Sequence, residues 1–261
     1  MTRLQKSLDN LGKGEKSMER GQLFVLEGTD GSGKGTQFKL LLTRLRRLRC
    51  LVETLSFPQY GTKSAGLIEE YLNGKYGADP TDVSPYVASL FYALDRFDAA
   101  TKIRTWLTER KIVLLDRYVD SNAGHQGGKI QDLAKRKNFL HWLYRTEYHI
   151  LGVPKPDIVF ILHVPASIGQ RLVAQKSERG YLGGATHDIH EADLQHLKDA
   201  EQSYLWLART YPKDHCVIEC VEDGRLLSPA QIHEKIWVVL EQYLRYEAIS
   251  RFNARNHGPW R

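Results

Sequence analysis

Residues 21–36, GQLFVLEGTDGSGKGT, constrain the fold more than any other stretch of the chain. The apolar run Leu23-Phe24-Val25-Leu26 leads into a glycine-rich turn with a lysine, and an amphipathic basic helix follows. This strand–loop–helix context makes the G-x4-G-K spacing of Gly28, Gly33 and Lys34 a phosphate-binding loop. Gly28, Gly31, Gly33 and Gly35 let successive backbone N–H groups turn inward as an anion nest around Ser32. The N-terminus of the following helix adds its dipole. Lys34 reaches for the outer phosphates of a nucleoside triphosphate. The strict motif has Ser or Thr after the lysine, as a magnesium ligand. Here Gly35 stands there, and the Thr36 hydroxyl is the nearest substitute. A dinucleotide fingerprint, with Glu53 as its acid, fails because its third glycine would fall at Thr36.

Strand runs at 23–27, 51–55, 112–116, 157–164 and 216–221 alternate with helical segments. Those segments cover 36–49, 65–73, 84–110, 131–150, 167–176, 191–210 and 229–246. Alternation of this kind predicts an α/β fold: a doubly wound, five-stranded parallel sheet flanked by helices. The strand runs are apolar, as strands covered on both faces are. Ligands of such a sheet collect at the carboxyl ends of its strands. Residues 1–20 read as a flexible appendage, 21–246 as one domain, and 247–261 as a basic tail.

The 261 residues carry a formal charge of +6, which suits either nucleic acid or a small polyanionic substrate. Much of the excess sits in Arg44, Arg46, Arg47 and Arg49, on a helix whose other face is apolar; a solvated helix face accounts for it. The three cysteines, Cys50, Cys216 and Cys220, cannot all pair and fit a cytoplasmic protein. No apolar run approaches the length of a membrane span.

Two further segments carry chemistry. Asp116-Arg117 ends an apolar strand, where an acid can hold magnesium and a guanidinium can grip a second phosphate. Tyr92 and Arg96 stand four apart on one helix face, placed to stack on and hydrogen-bond a base. A core helix with Arg96 paired to an acid fits the same pattern.

Four segments in order resemble the thymidylate kinases, in the nucleoside-monophosphate kinase branch of phosphate-loop proteins. They are Leu26–Lys34; Phe57-Pro58-Gln59-Tyr60; Leu94-Asp95-Arg96; and the string from Asp116 to Gln126. Pro154-Lys155-Pro156-Asp157 adds a fifth match. The resemblance implies ATP and magnesium as cofactors, thymidine monophosphate as acceptor, a homodimer, and a mobile lid at about 171–191. It also implies residue roles. Asp30 would meet the sugar 3′-hydroxyl, Arg117 the acceptor phosphate, and Asp116 the metal, with Thr36 a second ligand. Arg96 would bond the thymine carbonyl beside the stacking ring of Tyr92. Ser121 and Gln126 would line the base pocket, with Pro58 and Tyr60 at its edge. Gly31 stands where some members carry an arginine, so the cation would come from Lys176 or Arg179 in the lid. Arg171 would pack near the adenine.

The chain departs from the family pattern in two places. Gly124-His125 replaces Ala-Tyr, and the Phe-Pro segment lacks its arginine. Another nucleoside monophosphate as acceptor, or a nucleotide-dependent nucleic-acid-binding protein on the same fold, are the alternatives. The first turns on the pocket around Tyr92 and His125. Asp30, Lys34, Arg96, Asp116 and Arg117, all intact, argue against the second.

Overall fold

The computed structural model describes residues 20–77, 79, 81–174 and 193–244. Five strands form the main sheet: β1 (Gln22–Glu27), β2 (Val52–Ser56), β3 (Ile112–Asp116), β4 (Ile158–His163) and β5 (His215–Glu219). All are parallel, in the order β2-β3-β1-β4-β5, so the phosphate-loop strand lies at the centre. The helices are α1 (Lys34–Arg47), α2 (Gly66–Leu72), α3 (Pro85–Thr108), α4 (Val119–Gly128), α5 (Leu133–Tyr144), α6 (Ala166–Ala174), α7 (Leu194–Thr210) and α8 (Pro229–Tyr243).

Alternate residues of one strand serve opposite cores. Leu23 and Val25 face Ile103 and Leu107 of α3, Phe139 and Leu140 of α5, and Leu207 of α7. Phe24 and Leu26 face Leu41 and Leu45 of α1 and Ile236 and Leu240 of α8. A smaller cluster, with Ile68, Tyr71 and Val83, joins α2 to α3. Arg46, Arg47 and Arg49 are exposed, the solvated face expected, while Arg44 is held to the body. Arg44 lies 4.0 Å over the Trp237 ring and pairs with Glu234 at 2.5 Å.

Several boundaries differ from the expectation. β2 is an edge strand, half-buried rather than covered on both faces, and its Glu53 accepts from Lys111 Nζ at 2.7 Å. The fifth strand stops at Glu219. Val221–Glu222 pairs instead with Arg225–Leu226 in a hairpin, turning through Asp223 and Gly224, both at positive φ. The segment at 131–150 is α5 followed by a π-helical turn, Arg145–Ile150. The largest difference is α4, which lies in none of the expected helical segments. Its sequence, VDSNAGHQGG, has poor helix propensity and no apolar stripe. Close packing against α7 forms it. A Cβ on Gly124 would lie 2.3 Å from the Tyr204 ring, so only glycine lets the two helices approach.

Of the 1–20 appendage only Arg20 is described, 3.2 Å from Asp157. Most of the expected lid, with Lys176 and Arg179, and the tail at 247–261 lie outside the described residues. No helix among the described residues is long and apolar enough to cross a membrane.

Candidate active site

The carboxyl ends of β1, β2 and β3 open into one cavity of about 300 Å³. Its floor is the phosphate loop. Gly33 caps α1 in the left-handed conformation, and the first turn of α1 carries no acid, so its N–H groups and dipole are left for an anion. Lys34 is buried and donates to the carbonyls of Gly28 and Thr29, both at 2.9 Å, with Ser32 Oγ at 3.5 Å. Burial, with the Arg117 charge nearby, lowers its pKa to about 8. Gly31 has φ +79°, and a Cβ there would lie 2.1 Å from the Gly169 carbonyl at the start of α6. A side chain is excluded, which is the structural reason this loop has no arginine of its own.

Asp116 and Arg117 line the cavity next to the phosphate loop. Asp116 lines the cavity, and its Oδ1 is buried without a hydrogen-bond partner. Arg117 has φ +65°, a conformation that costs a non-glycine residue roughly 1–2 kcal/mol. Its guanidinium pairs with Asp30 Oδ1 at 2.5 Å and donates to the Gly28 carbonyl at 3.3 Å. Its Nη1 also lies 3.3 Å from His125 Nε2. Because arginine only donates, His125 Nε2 must accept, and its proton sits on Nδ1, 3.4 Å from His196 Nε2. Burial first, then the Arg117 charge, push the His125 pKa well below its usual value, so the ring is neutral.

The far end of the cavity is built around Arg96. It is fully buried, paired to an acid, and still on the cavity lining. Its Nε donates to Glu147 Oε2 at 2.7 Å, its Nη2 pairs with Glu147 Oε1, and its Nη1 donates to the Tyr118 carbonyl at 3.1 Å. Those bonds use three of five N–H groups, and Arg96 still lines the cavity. Asn122 stands beside it, donating to the Ser89 carbonyl at 3.1 Å. Gln126 is buried on the lining, with both amide atoms unpartnered. Tyr92 lines the same end, its ring edge-on to Tyr71 at 6.5 Å.

The remaining expected residues divide. Pro58 and Tyr60 line the cavity, on a segment held by Asp95, which accepts from the Gln59 N–H at 2.9 Å and the Ser64 hydroxyl at 2.6 Å. Ser121 lines it too, but its hydroxyl donates to Glu27 at 2.7 Å, which turns it from the base toward the strand. Gly35 lines the cavity from the start of α1. Thr36 is exposed and off the lining, as is Arg171 on α6. Asn122 and Glu147 were missed. Glu147 lies 51 residues from Arg96, so no spacing could have revealed the pair. Asn122 was legible only through the helix, since Tyr118, Asn122 and Gln126 fall four apart on one face.

Among the described residues no cluster of His, Cys, Asp and Glu could hold a metal by itself. A metal bound here would share its coordination with phosphate oxygens.

The thymidylate kinase family model matches residues 26–226. The chain is 33% identical to the thymidylate kinase of Mycobacterium tuberculosis over 187 residues, covering 71% of this chain and 85% of that one. It is 31% identical to the human thymidylate kinase over 173 residues, covering 66% and 70%. The solved thymidylate kinase of Candida albicans superposes with a TM-score of 0.65 at 23% identity, covering 86% of this chain and 92% of that one, a likeness of fold. The chain belongs to the thymidylate kinase family and is a nucleoside-monophosphate kinase that phosphorylates thymidine monophosphate.

Proposed function

We propose that the cavity performs this reaction with ATP over residues 28–36 and the acceptor between α3 and α4. The observation that carries the reading is the single lining that joins Lys34 to Arg117 and Arg117 to Arg96. Arg117 holds the acceptor phosphate, with Asp30 beside it at the sugar. The two free N–H groups of Arg96 meet a base carbonyl, and the Gln126 amide addresses the pyrimidine edge. An acceptor phosphate oxygen then attacks the γ-phosphorus in line, the bond to the bridging oxygen breaks, and ADP leaves. Such a transfer needs positioning and charge compensation rather than a covalent catalyst.

Asp116 fits magnesium, because its buried oxygen lacks any other partner and it lines the same cavity as the phosphate loop. The ion would neutralise charge on the phosphate oxygens, held directly or through water, with the Thr36 hydroxyl as a second candidate ligand. Lys176 and Arg179 are proposed as the lid cations, since Gly31 has no room for an arginine, and Arg171 as the adenine neighbour. The unpaired thiols of Cys50, Cys216 and Cys220 suit a reducing, cytoplasmic setting.

We also propose a homodimer built on the outer face of α3. Tyr86, Leu90, Leu94 and Phe97 recur there at helical spacing, 39–49% exposed, while Arg96 on the same helix points into the cavity. An exposed apolar stripe of this kind suits a second copy. Sedimentation should give twice the chain mass, and Leu94→Glu with Phe97→Glu should give monomers. A wild-type monomer would remove the proposal.

ADP release with magnesium, measured against a panel of nucleoside monophosphates, tests acceptor choice. Thymidine monophosphate should give the highest turnover, with little release when no acceptor is present. Preference for a purine monophosphate would overturn the assignment of Arg96 and Gln126. Glu147→Gln strands a buried guanidinium. Denaturant unfolding should show a loss of about 3 kcal/mol, and the acceptor KM should rise at least about tenfold. An unchanged acceptor KM would separate Glu147 from the base site.

A further inference from the structure

Glu27 is the last residue of β1 and is wholly buried, yet it takes no part in the mechanism above. Its carboxylate accepts three hydrogen bonds from two other elements. The Tyr118 N–H donates to Oε1 at 2.7 Å, and the Ser121 hydroxyl to Oε2 at 2.7 Å. The Tyr204 hydroxyl, from α7, donates to Oε2 at 2.9 Å. Tyr118 is the N-cap of α4, and its own side chain caps nothing. A helix start needs an acceptor for its exposed N–H groups, and an anion there also meets the positive end of the dipole. Glu27 supplies that anion from a different strand.

The residue just before this cap is Arg117, in its left-handed conformation. A backbone in that region persists only where its surroundings over-determine it. The Arg117 N–H donates to the Leu26 carbonyl at 2.9 Å, and the next N–H along the chain goes to Glu27. Consecutive residues of β1 therefore pin consecutive residues of the turn.

We propose that Glu27 is a positioning residue: as a carboxylate it caps α4 from outside and so sets the direction in which the Arg117 guanidinium meets the acceptor phosphate. The proposal rests on the assignment of Arg117 to that phosphate. Gln in its place keeps the shape and loses the anion.

Burial raises the pKa of Glu27 to about 7, against the lowering effect of Arg117 and of its hydrogen bonds. Asp120 on α4 adds to the rise. Lys34 of α1 and Arg96 of α3 also face it electrostatically. The sign follows from the raised value. Ionising Glu27 in the folded protein is unfavourable, so stability is lost as pH rises from the unfolded carboxylate value through about 7. The anion is thus held at the expense of stability, and Glu27→Gln should melt no lower than wild type at pH 8.5.

The test compares wild type with Glu27→Gln in kcat/KM for thymidine monophosphate between pH 6 and pH 8.5. Titration of the acceptor phosphate is common to both and cancels in the ratio. The wild-type advantage should be about tenfold at pH 8.5, the worth of a charge-assisted hydrogen bond, and shrink toward unity at pH 6 as Glu27 protonates. The KM for ATP should change less than about twofold. Tyr204→Phe removes one donor to the carboxylate, so the midpoint of the wild-type limb should move to higher pH. The Arg117 Nε–H resonance, read without substrate, should shift with the same midpoint in wild type and stay flat in Glu27→Gln. That signal separates the positioning claim from the identity of the acceptor. A ratio near one at every pH would overturn the proposal. So would an equal loss at every pH accompanied by a lower melting temperature.

Discussion

The chain leaves β3 through a left-handed residue, and that residue is an arginine. The turn brings Arg117 across the end of β1, where its guanidinium meets Asp30 and the Gly28 carbonyl of the phosphate loop. One side chain thereby ties the end of β3 to the phosphate loop. The conformation is unfavourable by itself, and the ladder between β1 and β3 carries it: Leu26 pairs with Asp116, and the Leu26 carbonyl takes the Arg117 N–H. The parallel sheet is thus the scaffold that holds Arg117 against the phosphate loop.

Gly31 and the departure at Gly124-His125 have physical partners. Gly31 cannot carry an arginine because the backbone of α6 occupies the space. Gly124 and His125 go with Tyr204 and His196 of α7. The tyrosine ring lies where a larger residue at 124 would stand, and the His125 ring is edge-on to it at 6.0 Å. The missing arginine of the Phe-Pro segment has no such replacement among the described residues. Arg117 lines the cavity there, while Gln59 serves to bind the segment to Asp95.

Much of this was legible in the residues alone. The phosphate loop, the strand runs and the Asp116-Arg117 ending are local patterns, and each is where the sheet puts it. Helix α4 was not legible, because three glycines and no apolar period hide a helix that exists through packing on α7. Missing it also hid the bond from the Ser121 hydroxyl to Glu27 and left Asn122 unnoticed. The Arg96–Glu147 pair joins residues far apart in the chain through a π-helical turn that no spacing announces. Such turns recur at functional sites.

The account stands on Arg117 as the fixed grip on the acceptor phosphate, and calorimetry addresses that directly. Binding of thymidine monophosphate and of thymidine would be compared in wild type and in Arg117→Ala, as a cycle in which only the phosphate and the guanidinium change. The account predicts that the phosphate strengthens binding to the wild type at least about tenfold and adds little in the variant. If the variant kept the full advantage of the phosphate, some other cation would hold it, and the role given to the turn at β3 would be wrong.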